Sequence, residues 1–297
     1  MISVVVCTAD RKAKLKSQLA SLAQVTVPMA FSAELIVVNN KPAVDINPLV
    51  SEVSKGLPMP VEVVSEAAPG ISGARNIGAK LCRGEIIAFT DDDCVVDDDW
   101  LVRIWECFAS DSRLMGLGGR VELFDPADQP ITVRRGDSPA HLSSTDQIFG
   151  FLHGCNMAVR RDLFDRIGGF DPNFGSGSSV SAGEDTEFLF RAYQAGARIR
   201  YEPRALVLHH HGRTTRSSAR RTLIRYHLAN GAILAKHAGR GDEKARSLLR
   251  GIALAPLASP FRWPFSASEI LRAWYRLSVW GFGALRYRMF VETRIGG

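Results

Sequence analysis

Residues 84–94 read Gly-Glu-Ile-Ile-Ala-Phe-Thr-Asp-Asp-Asp-Cys, and no other stretch constrains this chain as much. Ile86, Ile87, Ala88 and Phe89 form an apolar run too short for a helix, the pattern of a buried strand. The run empties without a spacer into Asp91, Asp92 and Asp93. Adjacent carboxylates repel one another, and burying them unpaired is costly. A hard divalent cation relieves both penalties, and oxygen donors suit Mg2+ or Mn2+. In open α/β sheets, ligands collect beyond the carboxyl ends of strands. The alternative for such a triplet is a solvated turn capping the next helix, a description that Asp97-Asp98-Asp99 fits.

The flanking sequence predicts an α/β chain. Residues 2–7 are an apolar run rich in β-branched residues, with Ser3 as its one polar member, as in a central parallel strand. Leu15, Leu19 and Leu22 then recur at helical spacing behind Lys12, Lys14 and Lys16. Residues 34–38 make a second strand that stops at the turn Asn39-Asn40-Lys41-Pro42, and residues 61–64 make a third. Small residues alternate with Ile77 and Leu81 over 71–82, as in a helix pressed against a sheet. This order predicts a doubly wound sheet with right-handed crossovers. The loop Thr8-Ala9-Asp10-Arg11 holds no glycine, which excludes a dinucleotide cradle, and no P-loop motif is present.

Further along, residues 100–108 read as an amphipathic helix capped by Asp97–Asp99. Residues 114–124 read as a strand interrupted at Gly118-Gly119, where a backbone would approach a ligand closely. Residues 125–147 are a long polar loop, either functional or mobile, 151–159 a strand and 161–167 a short helix. Residues 198–201 and 205–208 read as two closing strands that end in His209-His210-His211.

A second acidic group, Glu184-Asp185, follows the flexible segment GSGSSVSAG at 175–183, an arrangement that suits an active-site lid or a plain linker. Acids at a helix start are explained by the helix dipole alone, but one carboxylate at a cleft also suffices to deprotonate a hydroxyl. In extended backbone His209 and His211 share a face, so either could complete a metal site begun by Asp93. Zinc is not expected, because neither Cys nor a second His lies at ligand spacing.

The ordered set of motifs resembles a family 2 glycosyltransferase of the GT-A fold. It comprises Ser3-Val4-Val5-Val6-Cys7-Thr8, the Asn39-Asn40 turn, Gly73-Ala74-Arg75-Asn76 and Thr90-Asp91-Asp92-Asp93. Gly154-Cys155-Asn156, Gly168-Gly169-Phe170-Asp171, Gly183-Glu184-Asp185 with Arg191, and Glu202-Pro203 before His209 follow. The resemblance spans residues 1–212, divided into a nucleotide-binding half (1–115) and an acceptor and catalytic half (116–212). It implies an inverting transferase using a nucleotide-diphosphate sugar and a divalent cation, Mg2+ or Mn2+. Carried over, Thr8, Asp10, Asn39 and Arg75 border the base and ribose. Asp91 and Asp92 approach the ribose and diphosphate, and Asp93 with His209 holds the metal. Asp185 is the base, with Glu184 and Asn156 on the acceptor side.

Two positions depart from the family pattern: Asn39 where Asp is usual, leaving the base undefined, and Ala9-Asp10 where an aromatic-Asn pair is usual. Ser259-Pro260-Phe261-Arg262-Trp263 lacks the Gln of processive members, so transfer of one sugar per encounter is expected. A sugar nucleotidyltransferase would need a glycine-rich basic loop after the first strand. A binding module without catalysis is the remaining alternative.

Charge divides the chain of 297 residues unevenly. Residues 213–297 hold 16 Lys/Arg against 4 Asp/Glu, and residues 1–212 hold 21 against 27. The result is a basic, mainly helical extension of +12 behind an acidic body of −6. A helix through Lys236 is expected after Arg216, Arg220, Arg221 and Arg225. Over 270–290, Arg272, Arg276 and Arg286 fall within about 40° of one meridian at 100° per residue. Ile270, Trp274, Leu277 and Leu285 lie opposite. Such a helix either packs its Trp face on the protein or lies on an anionic membrane surface carrying a glycan or lipid-linked acceptor. Nucleic acid is not expected, as no reader motif accompanies the charge. Five cysteines without a C-x-x-C spacing, no signal segment and no spanning apolar window predict a cytoplasmic protein, peripheral on the inner face of the cell membrane if the helix binds lipid.

Overall fold

The computed structural model describes residues 1–68, 70–258 and 267–289. The chain divides into two compact units, Met1–Pro172 with Glu184–Thr215, and Asn173–Gly183 with Arg216–Gly297.

The first unit begins with β1 (Ile2–Thr8), α1 (Lys12–Leu22), β2 (Ala33–Asn39), α2 (Asn47–Ser54), β3 (Val61–Ser65), α3 (Gly70–Leu81) and β4 (Ile86–Asp91). It continues through β5 (Cys94–Val96), α4 (Trp100–Ser110), β6 (Leu114–Leu123), β7 (Ala140–His141), β8 (Met157–Arg160), α5 (Arg161–Ile167), α6 (Glu184–Gln194) and β9 (Arg198–His209). The sheet runs β3-β2-β1-β4-β8-β6-β9-β5, with β7 paired to β9. Strands β1 to β4 are mutually parallel where they pair, whereas β8 is antiparallel to both β4 and β6. This is the mixed α/β architecture expected. Every residue of β1 and β2 is buried, which suits their mainly apolar sequences, and the buried Ser3 donates to the buried Glu34 at 2.6 Å.

Close packing explains the small residues of α3. A Cβ on Gly78 would stand 2.5 Å from Val5 Cγ1, so this helix lies on the sheet only because glycine is there.

Four local expectations are corrected. Asp99 occupies the N-cap of α4 but makes no side-chain cap bond; it pairs with Arg103 at 2.7 Å instead. Gly118 and Gly119 admit protein, not ligand: a Cβ on the first would strike Leu152, and one on the second Asn156 and the Ala205 carbonyl. The strand expected over 151–159 is confined to β8, after a 3-10 turn at Gly154–Asn156. Gly154 N–H is directed at Asp185, which draws this turn out of the sheet. The two closing strands are one, β9, with an irregularity where Gly119 pairs Glu202 and Arg120 pairs Leu206. Pro203, which has no N–H to give, falls in the skipped segment.

The second unit contains α7 (Arg216–Gly239), α8 (Glu243–Ala258) and α9 (Ala267–Tyr287). The arginines expected to precede α7 lie within it. Gly231 faces the Trp280 carbonyl and Gly283 the Leu228 carbonyl, so the backbones of α7 and α9 cross in contact. Trp280 Nε1 donates to His227 Nδ1 at 2.8 Å. On α9, Leu271, Trp274, Phe282 and Leu285 are exposed. The side chains of Ile270, Arg272 and Arg276, and residues 259–263 and 290, lie outside the described residues. Among the described residues, no helix is long and apolar enough to cross a membrane.

Candidate active site

Strand register gathers the expected residues. Cys7 is level with Asp91 and Thr8 with Asn39, so the carboxyl ends of β1, β2 and β4 finish together. The chain reverses after β4 and returns as β5, whose Cys94 is directly opposite His209 on β9. His210 N–H donates to the Asp93 carbonyl at 2.7 Å, which locks the pairing beside the triplet.

The three carboxylates take different partners. Asp91 accepts from Arg75 Nη2 at 2.8 Å. Asp92 accepts from Thr8 Oγ1 at 2.7 Å and Arg11 Nε at 3.1 Å, and Arg11 Nη2 also meets its other oxygen. Burial pushes the Asp92 carboxyl up to about 6, against the opposing pull of Arg11 and Thr8. Asp93 Oδ2 accepts from Arg11 Nη1 at 2.6 Å, with Lys14 Nζ 3.9 Å away. Burial works to raise Asp93 as well, but the hydrogen bond and charge of His209, with Arg11, hold it well below the usual carboxylate range.

His209 Nε2 lies 3.5 Å from Asp93 Oδ1. Its Nδ1 lies 3.1 Å from Thr132 Oγ1, whose own proton goes to the Ile131 carbonyl at 2.6 Å. Thr132 can therefore only accept, which places a proton on Nδ1 and turns the Nε2 position toward Asp93. Burial disfavours charge on this ring, but Asp93 outweighs it and raises His209 to about 9. A divalent cation would take the place of the Nε2 proton.

Asp93, Cys94 and His209 bring one ligand atom each to within 4.8 Å of one another, a donor set of O, S and N that fits a divalent cation. Cys94 was missed because spacing along the chain does not show what antiparallel pairing places opposite, and it reopens the softer ions that spacing had set aside. Burial, with Cys155 alongside, holds the Cys94 thiol well above its ordinary value.

His211, the other candidate, packs its ring 5.3 Å from that of His209 but spends both nitrogens elsewhere. Its Nδ1 lies 3.3 Å from Asp128 and accepts from Arg213 N–H at 3.0 Å, and its Nε2 reaches the Gln129 carbonyl at 3.2 Å. It pins the 125–132 loop to the end of β9.

The second acidic group lies across Arg75, which is buried and donates through Nη1 to Glu184 Oε1 at 2.9 Å. Gly154 leaves room for that guanidinium, since a Cβ there would stand 2.6 Å from Nη1. Burial and the adjacent Asp185 push Glu184 up to about 7, against Arg75. Asp185 Oδ2 accepts from Gly154 N–H at 2.7 Å and Oδ1 from Thr186 N–H at 2.6 Å, so its orientation is fixed.

Three expected residues are engaged elsewhere. Asn39 is buried and spends its amide on the turn, donating to the Val44 carbonyl at 2.8 Å and accepting from Lys41 N–H at 3.1 Å. Asp10 is exposed and pairs with Lys41 Nζ at 2.5 Å. Asn156 is buried, accepts from Trp100 Nε1 at 2.9 Å and donates to the Arg120 and Ala205 carbonyls at 2.8 and 2.9 Å. It braces β6, α4 and β9 beneath the site, and no side-chain donor is left for an acceptor sugar. Arg11 and Lys14 went unassigned, although a basic cluster directly after β1 was visible.

A sheet of this order, with carboxylates at the end of β4 and a second acidic pair at the start of α6, is the GT-A arrangement that the motifs imply. A family model described as "Glycosyltransferase like family 2" matches residues 1–226, and the chain belongs to that family. It is 31% identical over 209 residues to the succinoglycan biosynthesis protein ExoM of Rhizobium meliloti, a match covering 69% of this chain and 65% of that protein. It is 26% identical over 174 residues to a pre-mycofactocin glycosyltransferase of Mycobacterium tuberculosis, covering 55% of this chain and 35% of that one. The chain thus spans less than two thirds of these relatives. In fold it is similar to S. aureus TarS 1-349, with a TM-score of 0.61 at 16% identity over 100% of this chain and 92% of that one. It is likewise similar to the mannosyltransferase PcManGT of Pyrobaculum calidifontis, solved with GDP-Man and Mn2+, with a TM-score of 0.58 at 20% identity over 97% and 87%.

Proposed function

We propose that this chain is a metal-dependent, inverting glycosyltransferase that moves one sugar from a nucleotide-diphosphate sugar to a hydroxyl of a cell-envelope or lipid-linked glycan. The observation that carries this reading is Arg75, which binds Asp91 at the end of β4 and Glu184 at the start of α6. It brings two acidic groups with different tasks to one place.

Asp93 and His209, with Cys94 beside them, would hold the cation, and Mn2+ or Mg2+ bound there would neutralise charge building on the leaving diphosphate. Arg11 and Lys14 supply positive charge on the same side. Asp185, held by Gly154 and Thr186, is the base. It takes the acceptor hydroxyl's proton as that oxygen bonds to the anomeric carbon and the bond to the diphosphate oxygen breaks. Inversion follows, since no side chain attacks the sugar first.

The acceptor reading rests on the second unit. Arg216, Arg220, Arg221 and Arg225 on α7, with exposed Leu271, Trp274, Phe282 and Leu285 on α9, are the ingredients of an interfacial surface. Such a surface would hold the protein at the inner face of the cell membrane, where a lipid-linked acceptor would be met. The test is a panel of UDP-, GDP- and TDP-sugars incubated with Mn2+ or Mg2+ and lipid-linked acceptors. Transfer that stops on chelation and resumes with added ion supports the reading, and absence of transfer or donor hydrolysis with every donor would refute it.

A further inference from the structure

Arg11 stands on both buried carboxylates of the triplet. Its Nη1 donates to Asp93 Oδ2 at 2.6 Å and its Nε to Asp92 Oδ2 at 3.1 Å, while Nη2 meets Asp92 Oδ1. The other oxygen of Asp93 faces His209. One carboxylate is therefore divided between the cation-ligand side and a guanidinium. The burial of the partners is unequal: the side chains of Asp92 and Asp93 are 0% and 9% exposed, whereas Arg11 is 46% exposed. The anions are part of the core floor, and the arginine reaches them from solvent.

Its backbone setting agrees. Asp10, immediately before it, has φ +68, and that carboxylate is tied to Lys41 rather than to the site. Arg11 itself is the N-cap residue of α1 and makes no side-chain cap bond, and among the described residues its guanidinium pairs with Asp92 and Asp93. Lys14 Nζ, by contrast, is anchored on the His210 carbonyl at 2.6 Å.

A guanidinium fork matches a phosphate as well as it matches a carboxylate, and that of Arg11 is open to solvent on the side away from Asp92 and Asp93. We propose that Arg11 is an exchangeable counter-ion. It neutralises Asp92 and Asp93 until a nucleoside diphosphate draws it onto phosphate oxygens, and Asp93 then becomes available to the divalent cation. This rests on the reading of the site given above and adds an order to it. Guanidinium and metal compete for Asp93, so the metal's apparent affinity is lowered by the fraction of molecules in which Arg11 is seated. A diphosphate that unseats Arg11 raises metal affinity, and by reciprocity the metal raises diphosphate affinity by the same factor. Metal thus enters with the donor and not ahead of it, and Asp92–Asp93 are not left bare between turnovers.

The experiment is a Mn2+ titration of the full chain followed by electron paramagnetic resonance, without nucleotide and with saturating UDP or GDP, with circular dichroism to confirm folding. The wild type, Arg11→Ala, Arg11→Lys and Lys41→Ala are compared. Expected is a nucleotide-free Mn2+ affinity that tightens by about tenfold in Arg11→Ala, about 1.4 kcal/mol. Arg11→Lys should fall between, keeping the charge without the fork, and Lys41→Ala should match the wild type. The gain in Mn2+ affinity on adding nucleotide should be smaller in Arg11→Ala than in the wild type. Unchanged or weaker nucleotide-free binding in Arg11→Ala overturns the proposal. So does equal tightening in Lys41→Ala, which would mark a general field effect. Failure of every protein to bind Mn2+, even with nucleotide, overturns the metal-site reading and this proposal together.

Discussion

Arg75 on α3 and Glu184 at the start of α6, 109 residues apart in the chain, form a 2.9 Å ion pair in which the guanidinium is buried. The same guanidinium holds Asp91 at 2.8 Å and lies 5.5 Å over the Phe170 ring. A single arginine thus neutralises one acid from each cluster, and the helix carrying Asp185 is set against the strand end carrying Asp91.

Removing that arginine should cost stability before it costs chemistry. Arg75→Ala leaves Asp91 and Glu184 without their shared cation, and breaking a buried pair from one side typically costs about 3–5 kcal/mol. Chemical denaturation should show a loss of that order, and Arg75→Lys should lose less while failing to bridge both acids. A denaturation midpoint unchanged in Arg75→Ala would contradict the bridge.

Asp185→Asn keeps an oxygen to accept from Gly154 N–H while removing the base. Turnover should fall about 10²–10⁴-fold, the usual contribution of a general base, with nucleotide binding retained. Steady-state rates alongside a nucleotide titration check this; retained turnover would remove Asp185 from the mechanism.

Glu184 gives stability a pH dependence of definite sign. Its carboxyl is raised from 4.5 to about 7 by burial and by Asp185, against Arg75, so the folded state retains a proton that the unfolded chain releases. That contribution is fully present below pH 4.5 and is lost as pH rises through about 7. Denaturation midpoints at pH 5 and pH 8 should differ less in Glu184→Gln than in the wild type, and equal differences would count against it.

Gly119→Ala tests the brace beneath the site. The new Cβ would strike the Asn156 amide and the Ala205 carbonyl, and overpacking of this kind costs about 1–3 kcal/mol. A lower melting temperature is expected, and an unchanged one would mean that β6 yields at this point.

The membrane reading predicts that the full chain co-sediments with anionic vesicles, that salt releases it, and that Trp274→Ser with Leu285→Ser weakens it. Equal recovery with neutral vesicles, or indifference to salt, would set that reading aside.

Much of this was legible in the residues. The apolar runs that became β1, β2 and β4, the α3 glycine pattern and the acids at Asp91–Asp93 and Glu184–Asp185 all act through local rules: burial, periodicity and charge at an element's end. Where a neighbour distant in the chain decides the outcome, sequence reading failed. Gly118 and Gly119 looked like a ligand approach because their true contacts, Leu152 and Asn156, come from another segment. Asn156 looked like an acceptor contact because Trp100, Arg120 and Ala205 were not yet known to surround it. Asn39 is a local case instead, its amide closing its own turn onto Val44 and Lys41.

Sequence alone determined the strand that ends in three carboxylates, the helix that opens on two more, and the split between an acidic body and a basic extension. These follow from residue types read in order. Tertiary structure alone decided that His209 and not His211 meets Asp93, that Cys94 joins them, and that Arg11 stands on Asp92 and Asp93. Such choices depend on strand register and side-chain direction, and a register set by pairing across more than a hundred residues leaves no periodic trace in either partner.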